Sequence, residues 1–284
     1  MHSCDHAHVR AKVLATALAT IAVMTGCWGS APTFPPTSAL TEQCASVPSG
    51  ATRATVTAAD GFRMGAAVLG PTASRVGVVI SYGQGQVVCD WLSIGDQLAA
   101  ATGARVLILE RRGKGSSPGK RNYLLGPGDV ASAANYLRAQ GAQRTVLVGS
   151  SLGTLFAFIA ASQTGPRDAV SPSDTTSSVI DQPPCAVALV SPLVSVRANG
   201  GELRNLDVRS MTSKLWITYE TQNATISEDA EQVKARVTAL GSSVVQYVGI
   251  DTKDHGRRLV SEHSEAQAVL ADAVRSCGSP RATS

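Results

Sequence analysis

The sequence predicts an α/β domain in which a mostly parallel eight-stranded sheet carries helices on both faces. Three observations point there. Short runs rich in Val, Ile, Leu and Ala alternate along the chain with longer segments of helical periodicity. From residue 76 onward those runs are apolar at every position and not at every second one, as strands covered on both faces require. A chain of 284 residues with 44% hydrophobic and 16% charged side chains has the material to bury one large core. The net charge of +4 is too small, and aromatics at 4% too few, for a charged groove with stacking platforms, so no nucleic-acid partner is expected.

Taken in order, runs at 54–57 and 64–69 flank Asp60 and Gly61 as a hairpin. A buried strand at 76–81 follows, then a helix at 91–101, a strand at 105–110, a helix at 129–140, a strand at 145–149 and a helix at 152–162. A polar insertion with four prolines, 163–184, reads as a surface loop. Strands at 186–190 and 214–219, a helix at 228–240, a strand at 244–250 and a helix at 261–275 complete eight strands and five helices. The span 191–213 has room for little more than a helical turn, so a small lid or none is expected.

The N-terminus reads as an address. Arg10 and Lys12 precede a short apolar stretch at 13–24, the pattern of a signal peptide over residues 1–26. The stretch is too short to span a bilayer. Thr25 and Gly26 directly before Cys27 resemble a bacterial lipobox, which implies that Cys27 receives a lipid and anchors the chain to the extracytoplasmic side of a membrane in the cell envelope. Plain secretion, and an uncleaved anchor or a mis-called start, are the other readings. Residues 27–50, rich in Pro, Ser and Thr, would then be a lipidated tether, and 51–284 the folded domain. His2, Cys4, His6 and His8 fall within the segment to be removed, so no metal role is assigned to them. With Cys4 lost and Cys27 acylated, Cys44, Cys89, Cys185 and Cys277 remain. These four have no zinc-type spacing, and at least one disulfide is expected from three possible pairings.

The chemistry starts at Gly149-Ser150-Ser151-Leu152-Gly153, which fits G-x-S-x-G. The string is common in a chain this rich in Gly and Ser, but its setting is not: an apolar strand ends on it and an apolar helix begins from it. A serine on so sharp a turn crowds the positions two before and two after, where only glycine fits. The turn points the Ser151 hydroxyl out of the sheet at a helix N-terminus, as a nucleophile requires.

From these residues the chain resembles the α/β-hydrolase superfamily, over 54–276. Ser81-Tyr82-Gly83-Gln84 resembles the His-Gly-x oxyanion loop, with Tyr82 at the His position; this implies that the backbone N–H of Gln84 pairs with that of Leu152 to hold an oxyanion. The turn from Glu110 to Ser117 resembles the D-x-R-G-x-G-x-S turn after the fourth strand, and Trp91 stands where the superfamily often opens its first helix with an aromatic.

The superfamily orders its triad Ser, acid, His, so the base comes late. His255, in Asp251-Thr252-Lys253-Asp254-His255-Gly256 between the last strand and the last helix, is assigned as general base. His263, a turn into that helix beside Glu262 and Glu265, reads as a solvated surface residue. Asp251 and Asp254 read as turn formers. The acid departs from the superfamily pattern: Asn223 holds its usual place, and Ser191-Pro192-Leu193-Val194-Ser195 at the alternative place holds no carboxylate. Three readings stay open. Glu220 at the strand end supplies the acid, Asn223 orients the ring as a neutral acceptor, or the site is degenerate. Arg111, Arg112, Lys114, Lys120 and Arg121 read as a solvated basic loop with some capacity for anions.

The expected function is a lipid-anchored serine hydrolase of a small-molecule or lipid ester, thioester or amide, with no metal or organic cofactor. The alternative is a non-catalytic protein of the same fold that binds an envelope component or a protein partner.

Overall fold

The computed structural model describes residues 32–163, 179–198 and 201–278. The segment 1–26 expected to be a signal peptide, Cys27 and most of the insertion 163–184 lie outside them. Eight strands form one sheet: β1 (Thr52–Thr57), β2 (Arg63–Leu69), β3 (Val76–Ser81), β4 (Arg105–Leu109), β5 (Arg144–Ser150), β6 (Ala186–Val190), β9 (Lys214–Glu220) and β10 (Val244–Ile250). Their order is β1-β2-β4-β3-β5-β6-β9-β10. The pairs β1–β2 and β2–β4 are antiparallel and all others parallel, as the continuous apolar runs from residue 76 predicted.

Successive residues of the inner strands sort to opposite faces. On one face Val79, Leu107, Leu147 and Ile217 pack with α3 (Gly126–Ala139), α4 (Leu152–Ser162) and α5 (Ala224–Ala239). On the other, Val78, Ile80, Val148 and Trp216 pack with α2 (Leu92–Thr102), α6 (Arg257–Glu262) and α7 (Ser264–Gly278). Two cores thus hold the central sheet rigid, and the ends of β5, β6 and β9 all project to one rim.

Four expectations are corrected. Residues 32–50 are docked and are not a tether: Leu40 in the short helix α1 (Leu40–Gln43) is 4% exposed, Phe34 N–H donates to Gly115 O at 2.9 Å, and Cys44 is bonded to Cys89. One buried leucine and a disulfide suffice there, and neither has a periodicity to read. The helix expected at 261–275 is two, α6 and α7, broken at His263, whose φ of −126° and ψ of 115° are extended. The helix expected from 228 starts at Ala224. The span 191–213 holds a hairpin, β7 (Ser195–Ala198) with β8 (Gly201–Arg204), and a 3₁₀ turn at Asn205–Asp207. A second disulfide, Cys185–Cys277, ties the entry to β6 to the end of α7.

Candidate active site

Ser151 sits between the last residue of β5 and the first of α4, with φ +50° and ψ −120°. Among the described residues only Ser151 and Ser191 combine positive φ with a side chain. The strain is held on both sides: Ser151 N–H donates to Val190 O at 2.9 Å, and Ser151 O accepts from Thr154 N–H at 2.9 Å. A Cβ at Gly149 would lie 2.6 Å from Gly153 O, and one at Gly153 would lie 1.9 Å from Ser81 O. Both glycines are therefore required by the backbone, as the sequence motif predicted.

His255, in the loop between β10 and α6, reaches Ser151 Oγ with Nε2 at 2.8 Å and Glu220 Oε1 with Nδ1 at 2.6 Å. A carboxylate only accepts, so Nδ1 carries the ring proton and Nε2 presents its lone pair to the Ser151 hydroxyl. Glu220 ends β9 and is fully buried. Its second oxygen, Oε2, accepts from Ser191 Oγ at 2.6 Å, and Ser191 Oγ in turn accepts from Gly256 N–H at 2.9 Å.

Of the three readings of the acid, Glu220 is the residue brought to the ring. Asn223 is elsewhere employed: it is the N-cap of α5, its Oδ1 accepting from Ile226 N–H at 3.4 Å. The residue at the place where the resemblance put an acid is thus a helix cap, and the carboxylate that meets the ring stands three residues earlier, at the strand end. Ser191 was missed as a supporting residue. The signal available was its position at the end of β6, beside the strand that carries the acid.

The loop Tyr82–Gln84 runs beside Ser151: a Cβ on Gly83 would lie 3.2 Å from Ser151 Cβ. Leu152 opens α4, so its N–H is one of the donors a helix leaves without an internal acceptor. The loop is pinned from several sides. Gln86 Oε1 accepts from Gly83 N–H at 3.1 Å and from Trp91 Nε1 at 2.8 Å, while Arg111 Nη2 donates to Gly83 O at 2.8 Å. Tyr82 is fully buried, and its hydroxyl donates to Glu110 Oε1. Burial first, then the Glu110 carboxylate, holds that phenol well above its ordinary pKa. Glu110 also accepts from Val88 N–H at 3.1 Å and from Gln43 Nε2 at 2.5 Å, which links the docked N-terminal stretch to this loop.

The basic cluster is not one solvated patch. Arg111 and Arg112 are 9% and 7% exposed, and Arg112 forks between Asp60 at 2.6 Å and Asp129 at 2.7 Å. Lys120 and Arg121 are exposed. His263 lies outside the site and is not on an open helix face. Its side chain is 23% exposed and pairs through Nε2 with Asp254 Oδ2 at 3.0 Å. Hydrogen bonding from His263 is the main cause of Asp254 lying below its ordinary pKa. Among the described residues no group of three or more His, Cys, Asp and Glu is placed to hold a metal, and no helix is long and apolar enough to cross a membrane.

No protein-family model matches the sequence, and no curated relative matches it. Solved structures do. The esterase Pf2001 of Pyrococcus furiosus superposes with a TM-score of 0.61 at 14% identity, over 79% of this chain and 91% of that one. An esterase of the bacterial hormone-sensitive lipase family gives 0.58 at 16% identity, over 82% and 86%. Dipeptidyl peptidase 4 of Porphyromonas gingivalis gives 0.56 at 14% identity, over 78% of this chain and 35% of that one. With the sheet order, the elbow and these likenesses together, the chain has the α/β-hydrolase fold.

Proposed function

We propose that the protein is a serine hydrolase that cleaves a carboxylic ester, thioester or amide through a covalent acyl-enzyme. The observation that carries this reading is the relay from Ser151 Oγ to His255 Nε2 and from His255 Nδ1 to Glu220 Oε1, at 2.8 and 2.6 Å. Ser151 Oγ attacks the carbonyl carbon as its proton passes to His255 Nε2. The buried Glu220 carboxylate fixes the tautomer and stabilises the imidazolium that forms. The carbonyl oxygen, now an oxyanion, is held by the N–H groups of Leu152 and Gln84, with the N-terminal end of α4 adding a favourable dipole. Collapse expels the leaving group, which takes the proton from Nε2. Water then repeats the sequence on the acyl-serine and restores Ser151. Apart from the substrate and that water, every group named belongs to the chain itself.

The named neighbours include two esterases and a peptidase, so fold alone does not choose between ester and amide. We take a small-molecule or lipid ester as the substrate class. We further propose that Cys27 is lipidated and holds the domain on the extracytoplasmic face of a bacterial membrane, a reading supported by Thr25 and Gly26 before it and the apolar stretch at 13–24.

The decisive experiment is labelling of the folded protein by a fluorophosphonate, with p-nitrophenyl butyrate hydrolysis alongside. Wild type should be labelled and active, and Ser151→Ala should be neither. A folded wild type that is unlabelled and inactive on esters, thioesters and amides would be a binding protein on a hydrolase fold. For the anchor, a clickable fatty acid should label wild type and not Cys27→Ser.

A further inference from the structure

Arg111 is a buried cation with an unusual set of partners. It is 9% exposed, yet among the described residues it forms no ion pair, whereas Arg112 beside it has Asp60 and Asp129. Its guanidinium lies over the Tyr82 ring, 5.3 Å from the centroid, and Nη2 donates to Gly83 O at 2.8 Å. Nη1 is buried and has no partner among the described residues. Taking a charge out of water for one carbonyl and one aromatic face costs several kcal/mol that packing with an apolar side chain of the same length would avoid. The residue is therefore poorly explained as a device for stability.

Its one side-chain hydrogen bond among the described residues falls on the peptide that matters. All peptide bonds described are trans, and in a trans peptide the carbonyl and the following N–H point to opposite sides. Fixing Gly83 O on Arg111 thus fixes the direction of Gln84 N–H, away from Arg111. The preceding peptide is fixed too, by Gly83 N–H on Gln86 Oε1. Gly83 itself stands against Ser151. We propose that Arg111 is a positioning residue of the oxyanion hole: by clamping the Gly83 carbonyl it aims the Gln84 N–H at the oxygen that becomes negative on Ser151's substrate.

The clamp has an electronic consequence as well. A charge-assisted bond to the carbonyl polarises the amide and makes its N–H a stronger donor. That gain is felt mostly when the substrate oxygen carries a full charge, in the transition state. Loss of the clamp must therefore appear in kcat and not in KM.

This inference rests on the serine-hydrolase reading, and the test separates the two. The full chain is prepared as wild type, Arg111→Lys, Arg111→Gln and Arg111→Met. Each is measured for kcat and KM on p-nitrophenyl butyrate, normalised to the fraction of sites a fluorophosphonate labels at completion, and for inhibition by an alkylboronic acid, which forms a tetrahedral anion on Ser151. For Arg111→Met and Arg111→Gln the expected result is a fall in kcat of about tenfold to hundredfold with KM within about twofold, and a matching loss of boronate affinity. Arg111→Lys, which keeps the charge, should recover part of both. If Arg111→Met does not fold, Arg111→Gln reads the same split. The proposal is overturned if kcat per labelled site is unchanged, if only KM rises, or if boronate affinity does not follow kcat. A wild type that is neither labelled nor active overturns the hydrolase reading and the inference together.

Discussion

Ser191 and Glu220 face each other across the ends of two neighbouring parallel strands, with Ser191 Oγ donating to Glu220 Oε2 at 2.6 Å. Because Gly256 N–H donates to the same hydroxyl at 2.9 Å, one serine fixes both the rotation of the Glu220 carboxylate and the start of the loop that carries His255. Its own backbone is held in the left-handed region, φ +50°, by Ser191 N–H donating to Thr218 O at 2.9 Å.

Removing the acid's charge should cost far more than removing its support. In Glu220→Gln the amide imposes the wrong imidazole tautomer and cannot stabilise the imidazolium, so kcat should fall by about four orders of magnitude with KM little changed. Ser191→Ala leaves a carboxylate oxygen and the Gly256 N–H unsatisfied in a buried place. A penalty of about 1–3 kcal/mol, or roughly fivefold to hundredfold in kcat, is expected. Steady-state kinetics of the two variants read the difference directly, and equal losses would refute the division of roles.

Asn223 should behave as a helix cap in every measurement. Asn223→Asp keeps an acceptor for the Ile226 N–H and should leave kcat/KM within about twofold and stability unchanged or slightly raised. Asn223→Ala should lower stability by about 1 kcal/mol in a urea titration while leaving kcat intact. A large rise in kcat/KM for Asn223→Asp would instead mean that this position is the natural seat of the acid.

The reach of sequence reasoning here follows from what each feature depends on. The inner strands were legible because burial on both faces leaves an uninterrupted apolar run, as in Val76–Ser81 and Ala186–Val190. Ser151 was legible because its strain demands glycine at two fixed neighbours, Gly149 and Gly153. The placement of His255 against Ser151 followed from chain order. Whether the Glu220 carboxylate, the Asn223 amide or neither meets it was left open, since the two residues are three apart and only the exit of β9 decides which one turns inward. Arg111 and Arg112 read alike in sequence, yet one lies under Gly83 and the other between two aspartates. The docking of residues 32–50 includes Phe34, Leu40, Gln43 and Cys44, scattered contacts with no periodicity behind them.

The two disulfides should contribute unequally to stability and to the site. Cys185–Cys277 and Cys44–Cys89 span sequence separations of 92 and 45 residues. In the chain-entropy model such loops are worth about 4.5 and 4 kcal/mol. Peptide mapping without reduction should recover these two pairings, and each Cys→Ser pair should lower Tm. Because Gln43 precedes Cys44 and bonds to Glu110, loss of Cys44–Cys89 should also lower kcat, while loss of Cys185–Cys277 should not. Recovery of either of the other pairings would contradict this arrangement.

Acyl-chain preference tests the small span between β6 and β9. Its described part is a hairpin of two four-residue strands and a 3₁₀ turn, which offers no helical lid to shelter a long chain. The butyrate ester of p-nitrophenol should therefore be hydrolysed with a higher kcat/KM than the palmitate ester, both presented below their aggregation limits. A preference for palmitate would require a sheltered tunnel and would count against this reading.

The last prediction concerns acid stability. Arg112 donates to Asp60 through Nη1 at 2.6 Å and Nη2 at 2.9 Å while also gripping Asp129, and its guanidinium covers the Phe62 ring at 4.4 Å. It thereby ties the β1–β2 hairpin to α3. Hydrogen bonding from Arg112, the main cause, holds the Asp60 carboxyl below its ordinary pKa of 3.8. A depressed carboxylate contributes stability that is complete above the unfolded-state pKa and is lost as pH falls through the folded-state value. Asp60→Asn removes that contribution but leaves Arg112 its Asp129 partner, so the variant should fold. At pH 7 it should be less stable than wild type by about 1–2 kcal/mol. The gap should persist down to about pH 5, begin to shrink below about pH 4 as the unfolded state takes up a proton, and vanish only once pH falls below the depressed folded-state value. Urea titrations of both proteins at pH 7, 5 and 3 measure this. A gap that stays constant across the three pH values would show that Asp60 acts through shape alone and not through its charge on Arg112.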